Sequence, residues 1–430
     1  MKQQVLVFGG LGAPGSSVVS LYQALLTQLS DLFDLIAIDP IAEQLTPDQL
    51  TNRYPFSYSA IYDHFDKYCA KHQQPDIAAC LVLTPVRMRL SIIEMVSERI
   101  DVDQTLFIVE KPSFSLEECE RGFDFVIPAL QRRGARFYFI DTVIVALSIE
   151  AYIDSVDGAL PLPKKIVAIA ADNPINLYEP LHAFEWSNQR NNINRRKLLS
   201  LKNNGGGGAG LDMGIHAVAA LFRLLSGARW DVESTLVTDA TLEALTEENI
   251  SNSEAKLMPL ERELGAETHL YAQGIIKTKA PKSASIPYVV EGGKGGDIWD
   301  RRLELYYDDH VVVLGLGTLR HPPYFWRKQG EQVTSQVFSI KGSGYQRHFS
   351  DILSLLSVTN VPLLITPEQS EEIMRRSMVL IATMYPVYEV AAEIRELGLQ
   401  KVTQHLPRYL TSQELTVRND LDQYLKSIVF

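Results

Sequence analysis

Apolar and polar positions divide the chain into two kinds of pattern, with the change near residue 142. Before it, short runs that are apolar at nearly every place alternate with longer stretches where apolar residues recur every three or four. VLVFG (5–9) is the first run, and Val18, Val19, Leu21, Leu25 and Leu26 mark the helix after it. DLIAID (34–39), DIAACLVLT (76–84), TLFIVE (105–110) and RFYFID (136–141) follow, with helical patterns near 87–99 and 116–133. A strand without polar alternation is one buried on both faces, as in a parallel sheet covered by helices. Residues 1–141 are therefore predicted to form an α/β domain.

After residue 142 the pattern is mostly β. KKIVAIAAD (164–172) reads as a strand, followed by an asparagine-rich stretch, GGGG (205–208) and the helix LDMGIHAVAALFRLL (211–225). Between 228 and 341 the clearest strands are HLYAQGIIKT (269–278) and IPYVVEGG (286–293). RRLELYYDDHVVVLGLG (301–317) reads as a hairpin with Asp308-Asp309 at its tip. Helical patterns cover 346–357 and 367–395, the second starting at Pro367, and the amphipathic tail after about 395 has no assigned role. The expectation is an α+β domain over 142–430 with one large, mostly antiparallel open sheet, its C-terminal helices free to dock back on the first domain.

Composition narrows the function. Hydrophobic residues at 46% and charged residues at 22% fit a packed globular chain and exclude a disordered or collagen-like one. Lys+Arg 41 against Asp+Glu 52 gives a net charge of −11, which offers no electrostatic footing for nucleic acid or an anionic membrane. The longest apolar stretches, such as TVIVAL (142–147), fall far short of the ~20 residues that span a bilayer. Cys69, Cys80 and Cys119 are few and show no C-x-x-C spacing, which argues against a disulfide framework or a metal site. With no signal-peptide pattern in MKQQVLVFGG, the expected location is the cytoplasm.

Gly10-Leu11-Gly12-Ala13-Pro14-Gly15 matches G-x-G-x-x-G between the first strand and the first helix. In a Rossmann-type domain Gly10 allows the tight turn and Gly12 lets a pyrophosphate approach the backbone. Gly15 allows close helix packing, and the helix N-terminus favours the negative charge. Asp39 ends the second strand, 24 residues after Gly15, where its carboxylate can accept from the adenosine ribose hydroxyls. It would repel a 2′-phosphate, so NAD is expected over NADP, unless Arg53 or Arg87 reaches the site. The same glycines also fit the short-chain dehydrogenase spacing. That reading fails because the only Tyr-x-x-x-Lys is Tyr324–Lys328, far beyond the α/β domain.

Two groups carry candidate chemistry. Lys111, in Glu110-Lys111-Pro112, leaves a strand at the carboxyl edge of the parallel sheet, where an ammonium can stabilise charge growing on a substrate oxygen. Asp212 and His216 are four apart on a predicted helix and so share a face; an imidazole there suits proton exchange with a hydroxyl. From Trp186 to Leu211 there is no acid, while Arg190, Arg195, Arg196, Lys197 and Lys202 are present. This stretch reads either as a solvated loop or as a contact for an anionic substrate group. Tyr178, His182 and Trp186 are further cleft candidates.

Together these motifs resemble the Gfo/Idh/MocA family, named after glucose–fructose oxidoreductase and inositol dehydrogenase. The matches are GLGAPG, Thr84-Pro85 after the strand 76–84, EKP at 110–112 and GGGAGLDMGIH at 206–216, in the family's order. The resemblance implies a cofactor edge that includes Thr84, Pro85 and Glu110, and a catalytic group of Lys111, Asp212 and His216. It also implies hydride transfer between NAD and a sugar, cyclitol or related small polyhydroxy compound. It leaves open two alternatives: transient oxidation without net redox, as in an epimerase, lyase or hydrolase, and a catalytically silent NAD-binding protein. A homodimer or homotetramer formed through the exposed face of the second sheet is expected on the same basis. One departure stands out: Arg89 occupies the place of the histidine in the family's Thr-Pro-Asn-x-x-His.

Overall fold

The computed structural model describes residues 2–12, 18–51, 53–156, 160–172, 207–243, 269–280, 282–294, 300–318, 322–338, 344–385 and 411–427. They fall into two compact units, one containing Met1–Thr142 and Gly342–Arg375, the other Val143–Glu179, Trp186–Lys341 and Arg376–Phe430.

The first unit is built on a six-stranded parallel sheet. Its strands are β1 (Gln4–Phe8), β2 (Asp34–Ile38), β3 (Ala60–Tyr62), β4 (Ile77–Val82), β5 (Leu106–Glu110) and β6 (Arg136–Ile140). Their order is β3-β2-β1-β4-β5-β6, so the chain reverses direction across the sheet beside β1. That is the topology of a Rossmann-type fold, in which the switch point opens a crevice at the strands' carboxyl ends. Every residue of β4 and β5 is buried, as their apolar runs require, and Glu110 at the end of β5 is the one charged residue among them. Helices α1 (Gln23–Leu32) and α2 (Val86–Arg99) turn Leu25, Leu26, Leu29 and Leu90, Ile93, Val96 inward. The helix expected near 116–133 is shorter: a π-helical stretch Arg121–Val126 leads into Ile127–Gln131. Pro128, at the second place of the last piece, supplies no N–H to a preceding turn, which limits regular helix on its N-terminal side. β3 was too short to leave a pattern.

Helix α4 (Gly344–Leu355), which follows α3 (Ala209–Gly227) of the second unit in the chain, completes this unit. His348 and Asp351 both bond the Tyr138 hydroxyl, at 2.9 and 2.8 Å, and His348 Nε2 donates to the Asp141 carbonyl at 2.8 Å. After it, α5 (Pro367–Met384) begins on a reciprocal cap: Thr366 Oγ1 accepts from Gln369 N, and Gln369 Oε1 accepts from Thr366 N.

The second unit holds an eight-stranded sheet. Its strands are β7 (Lys165–Asp172), β8 (Asp231–Glu243), β9 (His269–Ala280), β10 (Ala284–Lys294), β11 (Asp300–Tyr306), β12 (Val311–Gly315), β13 (Tyr324–Gln329) and β14 (Gln332–Val337). The order is β14-β13-β12-β11-β7-β10-β9-β8, and every pair is antiparallel except β7–β10. The whole is thus α/β: a Rossmann-type parallel sheet followed by a large, mostly antiparallel sheet. The β11–β12 hairpin turns at Asp308-Asp309 as expected.

Helices cover both faces of this sheet. On one lies α3 (Ala209–Gly227), so close that a Cβ on Gly292 of β10 would stand 2.5 Å from the Gly214 Cα. On the other lies α6 (Ser412–Ser427), whose Val417 and Leu421 pack with Val167, Ile169, Val313 and Trp326. The tail after residue 395 therefore contributes a helix to the second core. Its Arg418 reaches Glu304 at 3.0 Å and Glu291 at 3.6 Å. Among the described residues no helix is long and apolar enough to cross a membrane.

Candidate active site

The glycine turn sits where β1 meets the carboxyl edge of the parallel sheet. The tight turn expected at Gly10 falls one residue earlier: Gly9 has φ +76°, a conformation that side chains disfavour. A Cβ there would also press on the Leu83 carbonyl at 3.0 Å. Gly10 is needed for close approach instead, because a Cβ would stand 2.8 Å from the Tyr58 hydroxyl. Three side chains from one loop grip the turn: Tyr58 donates to the Gly10 carbonyl at 2.7 Å, Tyr54 to the Gly12 carbonyl, and Arg53 Nε to the Leu11 carbonyl at 2.9 Å. Asp39 lies at the end of β2. One oxygen accepts from Leu11 N at 2.9 Å and the other from Ile41 N at 3.1 Å, capping the short helical turn Pro40–Gln44. Ala13, Pro14 and Gly15 lie outside the described residues.

Thr84 and Pro85 follow β4 on the same edge. Thr84 Oγ1 is buried without a hydrogen-bond partner among the described residues. A buried hydroxyl left unmade is costly, so such an atom marks a place where a ligand group can bind. With glycines where a Cβ would collide and this orphaned hydroxyl beside them, the edge fits a dinucleotide.

Lys111 follows β5 on the same sheet edge and is half-buried. Its backbone N–H donates to the Ile140 carbonyl at 3.1 Å. Arg89, 3% exposed, explains how the segment is held. Its Nε donates to the Thr84 carbonyl at 3.0 Å, and its Nη1 donates to the carbonyls of Glu110 and Pro112, on either side of Lys111. A guanidinium carries enough donors to join two strand ends in this way, which an imidazole could not. Glu110 itself turns inward, accepting from Tyr345 at 2.6 Å and Tyr22 at 3.3 Å. Burial pushes its carboxyl above the ordinary range, against the pull of the Tyr345 hydrogen bond and of the positive charges of Arg89 and Lys111.

In the second unit, Asp212 and His216 lie on the first turns of α3. Gly207 and Gly208 lead into it, and Asp212 N donates to the Gly208 carbonyl at 3.0 Å. At Gly207 a Cβ would fall 2.5 Å from the Leu211 Cβ, so the approach to this helix needs glycine. Asp212 is half-buried and His216 is 3% exposed. The i, i+4 spacing puts them on one face, and the helix N-terminus favours the Asp212 charge. Lys111 belongs to the first unit and this pair to the second. Arg190, Arg195, Arg196, Lys197 and Lys202 lie outside the described residues, as do Tyr178, His182 and Trp186.

Sequence reading passed over Gly9, Tyr54, Tyr58 and Tyr345. Gly9 had a signal, being a third glycine at the strand end; the tyrosines had none, since their partners lie 42 to 235 residues away.

No family model matches the chain, and no curated protein matches it by sequence. Solved structures match it in fold. KijD10, a 3-ketoreductase from Actinomadura kijaniata in complex with NADP and TDP-benzene, aligns at 13% identity and a TM-score of 0.56, over 89% of this chain and 97% of that one. An aldose-aldose oxidoreductase from Caulobacter crescentus, complexed with glycerol, aligns at 14% identity and a TM-score of 0.56, over 91% and 98%. The UDP-N-acetylglucosamine 3-dehydrogenase GnnA from Acidithiobacillus ferrooxidans aligns at 12% identity and a TM-score of 0.51, over 91% and 99%. At these identities the likeness is one of fold.

Proposed function

We propose that this chain is a nicotinamide-dinucleotide-dependent oxidoreductase acting on a hydroxyl-bearing carbon of a sugar, cyclitol or related polyhydroxy compound. The observation that carries the proposal is the first unit's sheet edge, where the glycine turn, the unpartnered Thr84 hydroxyl and the Arg89-clamped Lys111 stand together. Gly10, Gly12, Thr84, Pro85 and Glu110 belong on this reading to the dinucleotide site, with Ala13, Pro14 and Gly15 completing the turn. When bound, the nicotinamide supplies the hydride acceptor or donor. His216 takes the hydroxyl proton as general base, and Lys111 stabilises the negative charge that grows on that oxygen. Asp212 orients the imidazole or holds a neighbouring hydroxyl. The similarly folded 3-ketoreductase and 3-dehydrogenase support this class of chemistry by their names.

The first unit serves as the dinucleotide-binding domain and the second as the substrate and assembly domain. The substrate is a small molecule, with an anionic group if the basic stretch before the glycines takes part. Nucleic acid and membrane have no role. The free cysteines Cys69, Cys80 and Cys119 accord with a reducing cytoplasm. A homodimer or homotetramer remains the proposed assembly. Because α6 occupies the sheet face over β7 and β11–β13, the contact has to use other surface.

The test is a panel of sugars, cyclitols, sugar phosphates and nucleotide sugars carrying deuterium on the hydroxyl-bearing carbons. Incubation with NAD or NADP should move deuterium to the nicotinamide for at least one class. Transfer without net accumulation of reduced cofactor identifies the transient-oxidation form of the chemistry. A protein that binds the cofactor and transfers no deuterium from any member is the silent binder, and the proposal fails.

A further inference from the structure

We infer that Arg53 forms a subsite for a 2′-phosphate at the glycine edge, so that the chain takes NADP(H) at least as well as NAD(H). This reverses the preference that Asp39 alone predicts, and it rests on the dinucleotide reading of that edge. The Asp39 argument requires an unopposed carboxylate with both oxygens waiting for ribose hydroxyls. In the structure both oxygens already accept a backbone N–H, Oδ2 from Leu11 at 2.9 Å and Oδ1 from Ile41 at 3.1 Å. Each bond offsets part of the charge that would repel a phosphate. Asp39 is thereby an anchor of the turn as much as a ligand group.

Arg53 grips the same residue from its other side. Its Nε donates to the Leu11 carbonyl at 2.9 Å and, more weakly, to the Gly12 carbonyl at 3.3 Å. The Leu11 backbone thus lies between a carboxylate on its N–H and a guanidinium on its C=O. A guanidinium has five N–H groups, and here one is committed to these carbonyls. Among the described residues, no hydrogen bond or ion pair engages the four terminal N–H groups of Arg53. A planar fork of free N–H donors is the geometry that meets phosphate oxygens in pairs.

The arm that carries it is fixed. Tyr54, next in the chain, donates to the Gly12 carbonyl, and its ring stacks on Phe56 with centroids 5.2 Å apart and planes 9° from parallel. Phe56 meets Tyr58 edge-on at 5.3 Å, and Tyr58 donates to the Gly10 carbonyl. Arg53 is half-buried, so its charge is partly shielded from solvent screening. The local arrangement is therefore a positioned cation at the turn, carried on an arm whose Arg53, Tyr54 and Tyr58 each donate to a carbonyl of the turn.

The test is equilibrium binding of NADPH and NADH to the full-length protein, followed by nicotinamide fluorescence, and needs no substrate. The wild-type protein should bind NADPH no more weakly than NADH. Arg53→Gln, whose amide N–H can still reach the Leu11 carbonyl, should raise the Kd for NADPH at least tenfold and that for NADH less than threefold. Arg53→Lys, which keeps the charge and loses the fork, should fall between. A wild-type preference for NADH of tenfold or more overturns the inference, as does an equal loss of both ligands in Arg53→Gln. Failure of the wild-type protein to bind either ligand would instead sink the dinucleotide reading beneath it.

Discussion

On β11, in the eight-stranded sheet, Asp300, Arg302 and Glu304 occupy alternate positions, and Arg302 bonds the two acids at 2.9 and 2.8 Å. Tyr324 donates to Asp300 and Tyr306 to Glu304, both at 2.7 Å, and Arg418 of α6 closes the cluster. On the six-stranded sheet the carboxyl edge looks different. Thr84 Oγ1 is buried without a partner, and Arg53 leaves most of its donors unengaged among the described residues. Arg89 gives its hydrogen bonds to the backbone that carries Lys111. Both regions bury charge, yet in the first the charges face one another: even Arg418 Nη1, which makes no hydrogen bond among the described residues, lies 3.6 Å from the Glu291 carboxylate. Strong perturbation is thus not a guide to function here: against the cost of burial, Arg418 and Arg302 hold Glu304 charged, and Glu304 and Asp300 hold Arg302 charged, within a cluster that clamps a helix to a sheet. Groups with bonding capacity left over are the better pointer to a ligand.

The comparison breaks most visibly at Lys111. Lys111→Ala should lower turnover about a thousandfold, as the loss of a donor to a developing oxyanion does. The Kd for reduced cofactor should move less than threefold, and thermal stability should hardly change. Turnover that survives the substitution would make Lys111 an ordinary strand-end lysine.

At the closed cluster the effect should be on stability instead. Arg302→Met leaves Asp300 and Glu304 buried without their shared cation, and should cost about 3–5 kcal/mol. The described tryptophans, Trp230 and Trp326, both belong to the second unit, so tryptophan fluorescence during denaturant unfolding follows that unit. Cofactor affinity, on the proposed reading a property of the other unit, should survive at low denaturant. A loss under 1 kcal/mol would mean that the sheet relaxes around the gap.

A third test lies in the first unit, on α4. Burial pushes the His348 imidazole down to about 4 from an ordinary 6.5. Because the unfolded chain takes up this proton first, its contribution is complete above pH 6.5. It is lost as pH falls from 6.5 to about 4, and amounts to about 3 kcal/mol. His348→Gln should flatten that acid limb, seen as hydrogen exchange in Gly344–Leu355 measured against pH. An unchanged slope would assign the acid sensitivity to other groups.

The smallest effect is expected at Gly10. Gly10→Ala places a methyl 2.8 Å from the Tyr58 hydroxyl and 3.0 Å from the Val7 carbonyl. Tyr58 can give way, so binding of the reduced dinucleotide should weaken about tenfold, equivalent to about 1.4 kcal/mol. Unchanged affinity would show that the Tyr58 grip does not shape the site.

Much of this was legible in the chain. Apolar runs marked the parallel strands at the right places, because burial on both faces leaves β4 and β5 apolar up to Glu110, the last residue of β5. The β11–β12 hairpin and the start of α5 at Pro367 carried turn and cap chemistry of their own. The short β3 did not show, and neither did the shortening of the helix near Pro128. Three buried strand residues are too few for a period.

By itself, then, the sequence determined the two kinds of sheet and the candidate groups, since periodicity and short motifs are properties of neighbours along the chain. The tertiary structure alone decided what those groups meet. Arg53 reaches Leu11 across 42 residues, Tyr345 reaches Glu110 across 235, and Arg418 reaches Glu304 across 114. A hydrogen bond is chosen by distance in space and by which competing partner is buried beside it. No local pattern records either, and so Asp39 read alone promised a different cofactor from Asp39 read with Arg53 across the same turn.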